Sequence, residues 1–251
     1  MNRPLSELVS GAKIEPVSGA KIEPVSRPLG IFGGSFDPVH NAHLRLAHAA
    51  LDTLGLASVR WLPNGIPGHR ESPRVSASDR LAMLRLALQN ESRFAIDEFE
   101  LWQAEPTFSI NTLRRLRAEL GATLPMVFII GADHLLGLHR WRDWEQLLDL
   151  THFAVAERPG YEIRHSSITP PTMTPEVAAQ YARRQAPAAA IALKPGGCMV
   201  RFPCSPMNIS SNSIREAIAN ARNLADLTPA ALLPTSVLDY IETKHLYRVN
   251  A

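Results

Sequence analysis

One stretch near the start of the chain decides the fold: Gly30–Ala47, which reads GIFGGSFDPVHNAHLRLA. The stretch starts inside an apolar strand predicted over 28–32 and passes through Gly33 and Gly34. It ends inside a helix predicted from the spacing of apolar residues over 43–54. A glycine turn between a strand and a helix lets the backbone approach a ligand closely, and its N–H groups favour a phosphate. The stretch therefore predicts the first unit of a phosphate-binding α/β fold.

Strands and helices alternate along the rest of the chain. The apolar patterns predict strands at 59–62, 94–96, 125–130, 152–156 and 199–202, and helices at 77–89, 109–120, 176–184, 211–220 and 237–245. The run PMVFII at 125–130 is continuously apolar, which is typical of a central parallel strand covered on both faces. We predict an α/β fold: a Rossmann-like, doubly wound parallel sheet with helices on both faces and helical elements at the C-terminal end.

Two segments break this alternation. Residues 10–17 and 18–25 repeat the letters SGAKIEPV, and we predict that residues 1–26 are a flexible N-terminal extension. Residues 27–249 are predicted to form one domain. Within it, the Pro-, Ser-, Thr- and Ala-rich segment near 160–198 is predicted to be a mobile insertion over the surface, apart from its helix.

The composition excludes several classes of protein. The 251 residues carry 26 basic and 24 acidic side chains, a net charge of +2, so no bulk field attracts nucleic acid or an anionic membrane. No apolar run approaches the roughly 20 residues of a transmembrane helix. Cys198 and Cys204 are too few for a disulfide framework or a four-cysteine zinc site. We expect a cytoplasmic protein, a monomer or a small homo-oligomer.

His40 and His43 lie three residues apart where the first strand gives way to the first helix, so they share one helix face. A zinc pair would need a third ligand, and no nearby Glu or Cys stands at a familiar spacing. A structural pair that caps or packs the helix is a second interpretation. The third, a pair of donors to nucleotide phosphates, is favoured by the preceding glycines, although the G-x-x-x-x-G-K-[ST] and G-x-G-x-x-G loops are both absent.

A second polar motif, NISSNSIRE at 208–216, opens a predicted helix near the C-terminus. Ser213 and Glu216 have the spacing of a capping box. Arg215 stands in the first turn, where a cation opposes the helix dipole. A bound anion would explain that choice of residue.

These two motifs resemble the two signatures of the nucleotidylyltransferase superfamily. GGSFDPVHNAH is similar to G-G-[ST]-F-D-P-x-H-x-G-H, with Ala42 in place of Gly, which fits if its φ is negative. ISSNSIR resembles I-S-S-T-x-I-R, with Asn212 in place of Thr. The resemblance implies three catalytic residues: His40, His43 and Arg215. It also implies an ATP site formed by Gly33, Gly34, Ser35, Phe36, His40, His43, Gly131, Asp133, Ile209, Ser210, Ser211 and Arg215.

Segments in the middle of the chain resemble bacterial nicotinate-nucleotide adenylyltransferases. They are PNGIPGHR at 63–70, TFS at 107–109, IIGAD at 129–133, the tryptophan at 141 and AERPGY at 156–161. The resemblance implies transfer of AMP from ATP to nicotinate mononucleotide, with Mg²⁺ bound through the ATP phosphates. The implied acceptor site comprises Asn64, His69, Arg70, Thr107, Ser109, Trp141, Arg142 and Arg158.

Two alternatives to this function stay open. The chain could act on nicotinamide mononucleotide or another phosphate acceptor, because the motifs for ATP are shared across the superfamily. It could also be a nucleotide-sensing module without catalysis, for which the departures at Ala42 and Asn212 are the only sequence support.

Overall fold

The computed structural model describes residues 27–66, 72–157, 173–205, 207, 209–220 and 232–248. The described strands are β1 (Leu29–Gly34), β2 (Ser58–Pro63), β3 (Phe94–Ile96), β4 (Met126–Gly131), β5 (His152–Glu157) and β6 (Met199–Pro203). These described residues form a six-stranded sheet in the order β3-β2-β1-β4-β5-β6, and each neighbouring pair is parallel. The predicted doubly wound parallel sheet is confirmed.

Helices cover both faces of this sheet, as predicted. The described helices are α1 (Asn41–Thr53), α2 (Ala77–Leu88), α3 (Ser109–Leu120), α4 (Ala132–Leu136), α5 (Trp144–Leu150), α6 (Pro175–Arg184), α7 (Ser211–Asn220) and α8 (Thr235–Thr243). Short 3₁₀ helices lie at Glu100–Trp102, Leu138–Arg140 and Ala188–Leu193. Within the described ranges, no helix is both long and apolar enough to cross a bilayer.

Alternating strand residues supply two separate cores. Phe32, Val127 and Ile129 pack with α1, α2, α7 and α8, whereas Ile31 and Phe128 pack with α3, α4, α5 and α6. Successive side chains of a strand point to opposite faces, so a strand buried on both sides is apolar throughout. The continuous apolar run of β4 therefore follows from its position at the centre of the sheet.

The order of the strands also determines where a ligand can bind. Chain connections leave the sheet in opposite directions on either side of β1 and β4, which are neighbours. A crevice opens outside the carboxyl ends of two such strands. The loop after β1 carries the histidine motif, and the loop after β4 carries Asp133.

Part of the segment near 160–198 differs from the prediction. Its described part, 173–198, includes α6 and a 3₁₀ helix, and the side chains of Val177, Tyr181 and Ile191 are buried in the two cores. The prediction of an insertion lying over the surface is wrong for Ala188–Leu193, because Ile191 of this 3₁₀ helix is buried in the core; the helix predicted at 176–184 is present as α6. Residues 1–26 and 160–172 lie outside the described residues.

His152, at the start of β5, gives the fold a dependence on pH. The side chain is fully buried; its Nδ1 accepts a hydrogen bond from the Cys198 N–H at 3.0 Å, and its Nε2 donates to the Lys194 carbonyl at 2.8 Å. Burial is the main cause that lowers the pKa of His152 below 6.5. The unfolded chain therefore takes up this proton more readily than the folded chain does.

We expect the free energy of unfolding to fall as the pH is lowered from about 7 to about 5, because the buried imidazole must stay neutral in the folded state. Urea unfolding of the wild type and of His152→Gln across this range measures the effect. The variant, which has no titrating group there, should show a smaller pH dependence. Equal slopes for the two proteins would contradict this assignment.

Candidate active site

A cavity of about 700 Å³ lies at the carboxyl edge of the sheet, beside the ends of β1 and β4. It brings together every predicted site residue that the structure describes: Gly33, Gly34, Ser35, Phe36, His40, His43, Asn64, Thr107, Ser109, Gly131, Asp133, Trp141, Arg142, Ile209, Ser210, Ser211 and Arg215. His69, Arg70 and Arg158 lie outside the described residues. Segments distant in the sequence thus line one space that is large enough for two nucleotide substrates in contact.

The two histidines form a stacked pair at the start of α1. Their ring centroids are 3.6 Å apart and the rings are inclined by 21°. His43 Nδ1 accepts a hydrogen bond from the backbone N–H of His40 at 3.2 Å, so Nε2 carries the proton of a neutral His43 ring. Burial, and then the neighbouring His40, lowers the pKa of His43 well below 6.5. At neutral pH His43 is therefore a neutral N–H donor on the wall of the cavity.

This geometry bears on the three interpretations of the pair. The capping interpretation describes the local structure correctly, because the His43 ring satisfies a backbone N–H at the start of the helix. Within the described ranges, no three side chains of His, Cys, Asp or Glu stand close enough to hold a metal ion. Capping uses only one nitrogen of His43, so the other nitrogen is left to serve a phosphate.

Phe36 supports His43 from below. Its side chain is 1% exposed, and its ring meets those of His43 and Trp61 at centroid distances of 5.2 Å each. The backbone of Phe36 is left-handed, with φ of +48°, a conformation that costs a bulky residue about 1 kcal/mol or more. A Cβ at Gly34 would stand 3.0 Å from the Phe36 ring, so a side chain here would require this ring to shift. Gly33 instead is exposed to the cavity.

The second motif docks onto the first. Arg215 Nη1 donates to the Asp37 carbonyl at 2.7 Å, and Nη2 donates to Asn212 Oδ1 at 2.6 Å. Ser211 Oγ donates to the Pro38 carbonyl at 3.0 Å. These contacts span 173 and 178 residues of sequence. The guanidinium from one end of the chain and the imidazoles from the other consequently line the same part of the cavity.

Both departures from the superfamily signatures have a place in this geometry. Ala42 lies in the first turn of α1, where the backbone has negative φ and a methyl group is favourable. Asn212 lies in the first turn of α7 and holds the guanidinium of Arg215. Ala42 adds only a methyl group, and Asn212 keeps a polar side chain on the cavity wall.

The sequence did not reveal how Asp37 organises this region. Its side chain is 4% exposed; Oδ1 accepts from the Tyr247 hydroxyl and Oδ2 from the Arg74 N–H, each at 2.7 Å. Oδ2 is also 3.7 Å from Arg215 Nη1. Burial, and then Asp37, raises the pKa of Tyr247, which keeps its hydroxyl protonated as a donor. One carboxylate thus joins three segments around the phosphate end of the cavity.

Arg80 was also missed. It is 2% exposed in α2, and its Nη1 donates to the carbonyls of Ser35 at 2.7 Å and Asn64 at 2.8 Å. It therefore ties the loops after β1 and β2 together beneath the cavity. A signal was available, because Arg80 occupies the same helix face as the buried Leu84 and Leu88, where an arginine needs polar partners.

Another part of the cavity wall, formed by residues 108, 133, 141 and 142, is aromatic and polar. Trp141 is half-buried and meets the Phe128 ring edge-on at a centroid distance of 5.8 Å. The Arg142 guanidinium lies 4.8 Å from the centre of the Phe108 ring. Asp133 is exposed at the first turn of α4, beyond β4. Together these residues offer a flat surface, a cation and a carboxylate to ligands in the cavity.

Glu100 lines the cavity close to these aromatic residues. Its Oε2 accepts from the Thr107 hydroxyl at 3.1 Å, and its Oε1 accepts from the Thr112 hydroxyl. Burial is the largest influence on Glu100 and raises its pKa, while the two threonine hydroxyls act in the opposite direction. The hydroxyl proton of Thr107 therefore points to Glu100. The sequence predicts Thr107 in the acceptor site but does not indicate its acidic partner.

Known proteins share this architecture. A family model described as cytidylyltransferase-like matches residues 31–217. A relative from Dechloromonas aromatica, 43% identical over 224 residues, covers 89% of this chain and 99% of its own. A relative from Laribacter hongkongensis is 42% identical and covers 88% and 94%. Both are named as probable nicotinate-nucleotide adenylyltransferases.

A solved structure gives the same fold. Nicotinic acid mononucleotide adenylyltransferase of Plasmodium falciparum, complexed with NaAD, superimposes with a TM-score of 0.62 at 18% identity, over 88% of this chain and 97% of that one. The chain belongs to the cytidylyltransferase-like family, a class of nucleotidyltransferases, and within it to the nicotinate-nucleotide adenylyltransferases. The resemblance found in the motifs is confirmed across most of the chain.

Proposed function

We propose that the cavity transfers the adenylyl group of ATP to nicotinate mononucleotide, which gives nicotinate adenine dinucleotide and pyrophosphate in NAD biosynthesis. One observation supports this proposal above the others: His43 and Arg215 line the same cavity, and Trp141 lines it too. A cavity that holds both phosphate donors and an aromatic surface suits two nucleotides that meet at their phosphates.

In this mechanism the 5′-phosphate oxygen of the acceptor attacks the α-phosphorus of ATP, and the bond to the bridging oxygen breaks as pyrophosphate leaves. A phosphate monoester is ionised near neutral pH, its second pKa being about 6, so no general base is required. Catalysis then consists of alignment and charge stabilisation. The Nε2–H of His43, beside His40, donates to the reacting phosphate, and Arg215 offsets the charge of the leaving pyrophosphate.

The remaining ATP contacts belong to the loops around these groups. Backbone N–H groups at Gly33 and Gly34 would bind phosphate oxygens. The hydroxyls of Ser210 and Ser211 would join them by turning from Ser213 Oγ and from the Pro38 carbonyl, to which they donate without a ligand. Asp133, exposed just after β4, would accept hydrogen bonds from the adenosine ribose. The other residues predicted for the ATP site also line this part of the cavity: Ser35, Phe36, Gly131 and Ile209.

The acceptor site is proposed around Trp141, whose half-exposed ring would stack on the pyridine ring. Backbone N–H groups near Ser109 and Arg142 would receive the carboxylate, and Thr107 would lie at the ring edge. Asn64, His69 and Arg70 would line the path of the acceptor phosphate, and Arg158 would complete the acceptor site.

Mg²⁺, when bound, would neutralise part of the charge of the triphosphate. The residues fit an ion carried by the nucleotide better than one held in a protein cage. Asp37 is the carboxylate of the phosphate loop, and both of its oxygens already accept hydrogen bonds. The other groups at this end are imidazoles, hydroxyls and a guanidinium, which suit phosphate oxygens.

Acceptor choice tests this function. Pyrophosphate release with ATP should show a kcat/KM for nicotinate mononucleotide about 10- to 100-fold above that for the nicotinamide compound, because hydrogen bonds to a charged carboxylate are worth about 1.5–3 kcal/mol. Preference for the amide would overturn the proposed selectivity. Tight ATP binding without pyrophosphate release for either acceptor would instead support the nucleotide-sensing alternative.

A further inference from the structure

Glu100 is an acidic side chain on the acceptor end of the cavity that the proposed mechanism does not use. It lines the cavity together with Thr107, Phe108 and Trp141. Its two oxygens accept hydrogen bonds from two threonine hydroxyls; these bonds favour the ionised form, whereas burial has the larger influence and raises the pKa of Glu100. The carboxylate of nicotinate mononucleotide would be repelled by an ionised Glu100, so the position of Glu100 beside this substrate calls for an explanation.

The charges next to Glu100 leave its own charge unbalanced. Asp97 is 2.5 Å from Arg115 and 3.5 Å from Arg60, and Glu119 is 2.9 Å from Arg60. Two carboxylates and two guanidiniums therefore neutralise one another. Within the described ranges Glu100 itself forms no ion pair, so this group of five side chains has a net negative charge when Glu100 is ionised.

A cation stands on the other side of the same segment. The Arg142 guanidinium lies over the Phe108 ring, whereas Glu100 is bonded to the adjacent Thr107. The dipeptide Thr107-Phe108 is thus flanked by one negative and one positive group. The base of nicotinate mononucleotide carries the matching charges, a pyridinium ring and a carboxylate.

We propose that Glu100 is a specificity-determining residue that selects acceptors whose ring is positively charged. The inference rests on the proposed function. A carboxylate attracts a pyridinium nitrogen through a medium of reduced dielectric, and it gives no such advantage to a neutral ring of the same shape. Arg142 complements the carboxylate of the base. Glu100 and Arg142 thus carry charges opposite to those of the pyridinium ring and the carboxylate of the base, respectively.

The test compares two ligands that differ in ring charge: nicotinate mononucleotide and its 1,4-dihydro form, which has a neutral ring and the same carboxylate and phosphate. Calorimetry without ATP gives both dissociation constants. The wild type should bind the oxidised form at least about tenfold more tightly. Glu100→Gln should weaken the oxidised form about tenfold, leave the reduced form unchanged, and so bring the ratio close to one.

Glu98→Gln is the matched control, because Glu98 pairs with Arg85 at 2.5 Å and does not line the cavity. It should keep the wild-type ratio. Equal weakening of both ligands by Glu100→Gln would mean that Glu100 only braces Thr107, and would overturn the proposal. A wild-type ratio near one would overturn it even if the variant failed to fold. Failure of the proposed function would appear differently, as no binding of either mononucleotide.

Discussion

Replacing His43 by alanine is expected to lower kcat by about 10²–10³-fold, because a preorganised donor to the reacting phosphate is lost. The effect should fall on kcat more than on the KM for ATP, since the charge on the bridging oxygen grows as the bond breaks. Pyrophosphate release at saturating ATP and acceptor measures it. A near wild-type kcat would remove His43 from the mechanism.

Two further variants separate chemistry from folding. His43→Ala also removes the acceptor of the His40 N–H, at a cost of about 1 kcal/mol to the helix start. His43→Asn keeps an acceptor there, so it should recover stability but not turnover. His48→Ala, on the same helix and paired with Glu91 at 2.9 Å, should leave kcat unchanged.

The lowered pKa of His43 gives the same assignment a pH profile. The neutral ring is the donor in the mechanism, and its pKa lies well below 6.5 because of burial and His40. We therefore expect kcat to stay level from about pH 8 down to about pH 6.5 with respect to this group. A requirement for a protonated His43 would instead make kcat fall as the pH rises through this range.

The second large effect is expected for Arg215→Gln, which should lower kcat/KM for ATP by about 10²-fold or more, because one charge facing the pyrophosphate is removed. Arg215→Lys should not restore activity fully. The guanidinium donates to the Asp37 carbonyl and to Asn212 Oδ1 through two separate nitrogens, and an ammonium group has no such planar fork. Initial rates at varied ATP concentration give both values.

A control must show that the charge matters and not merely the docking of α7. Ser211→Ala removes the hydrogen bond to the Pro38 carbonyl and one hydroxyl of the proposed phosphate site but no charge, so it should cost far less than Arg215→Gln. Arg85→Gln, an exposed arginine that pairs with Glu98, should be neutral for turnover. If Ser211→Ala and Arg215→Gln were equally damaging, Arg215 would be a structural residue only.

Much of the fold could be predicted because local patterns determine it. The run at 125–130 became the central β4, and the motif at 208–216 became the start of α7. The parallel, doubly wound arrangement was predicted from the alternation of strands and helices, whereas the order of the strands was not. The described site residues converge because the carboxyl ends of parallel strands share one edge, which is a property of the fold and not of any single residue.

The supporting contacts could not be predicted in the same way. The left-handed backbone of Phe36 and the hydrogen bonds of Asp37 depend on groups brought together by the whole topology. Glu100 had no periodicity or motif of its own, and its role appears only beside Thr107 and Thr112. The burial of Ile191 was missed because the Pro- and Ala-rich sequence around it suggested a surface segment.

The bond between Tyr247 and Asp37 changes how natural variation in this chain should be interpreted. The two residues are separated by 210 positions in the sequence, yet the Tyr247 hydroxyl donates a hydrogen bond of 2.7 Å to Asp37 Oδ1. An amino-acid replacement at Tyr247, which a linear map would class as peripheral, alters the group that orients the nucleotide loop. It belongs with the active-site variants.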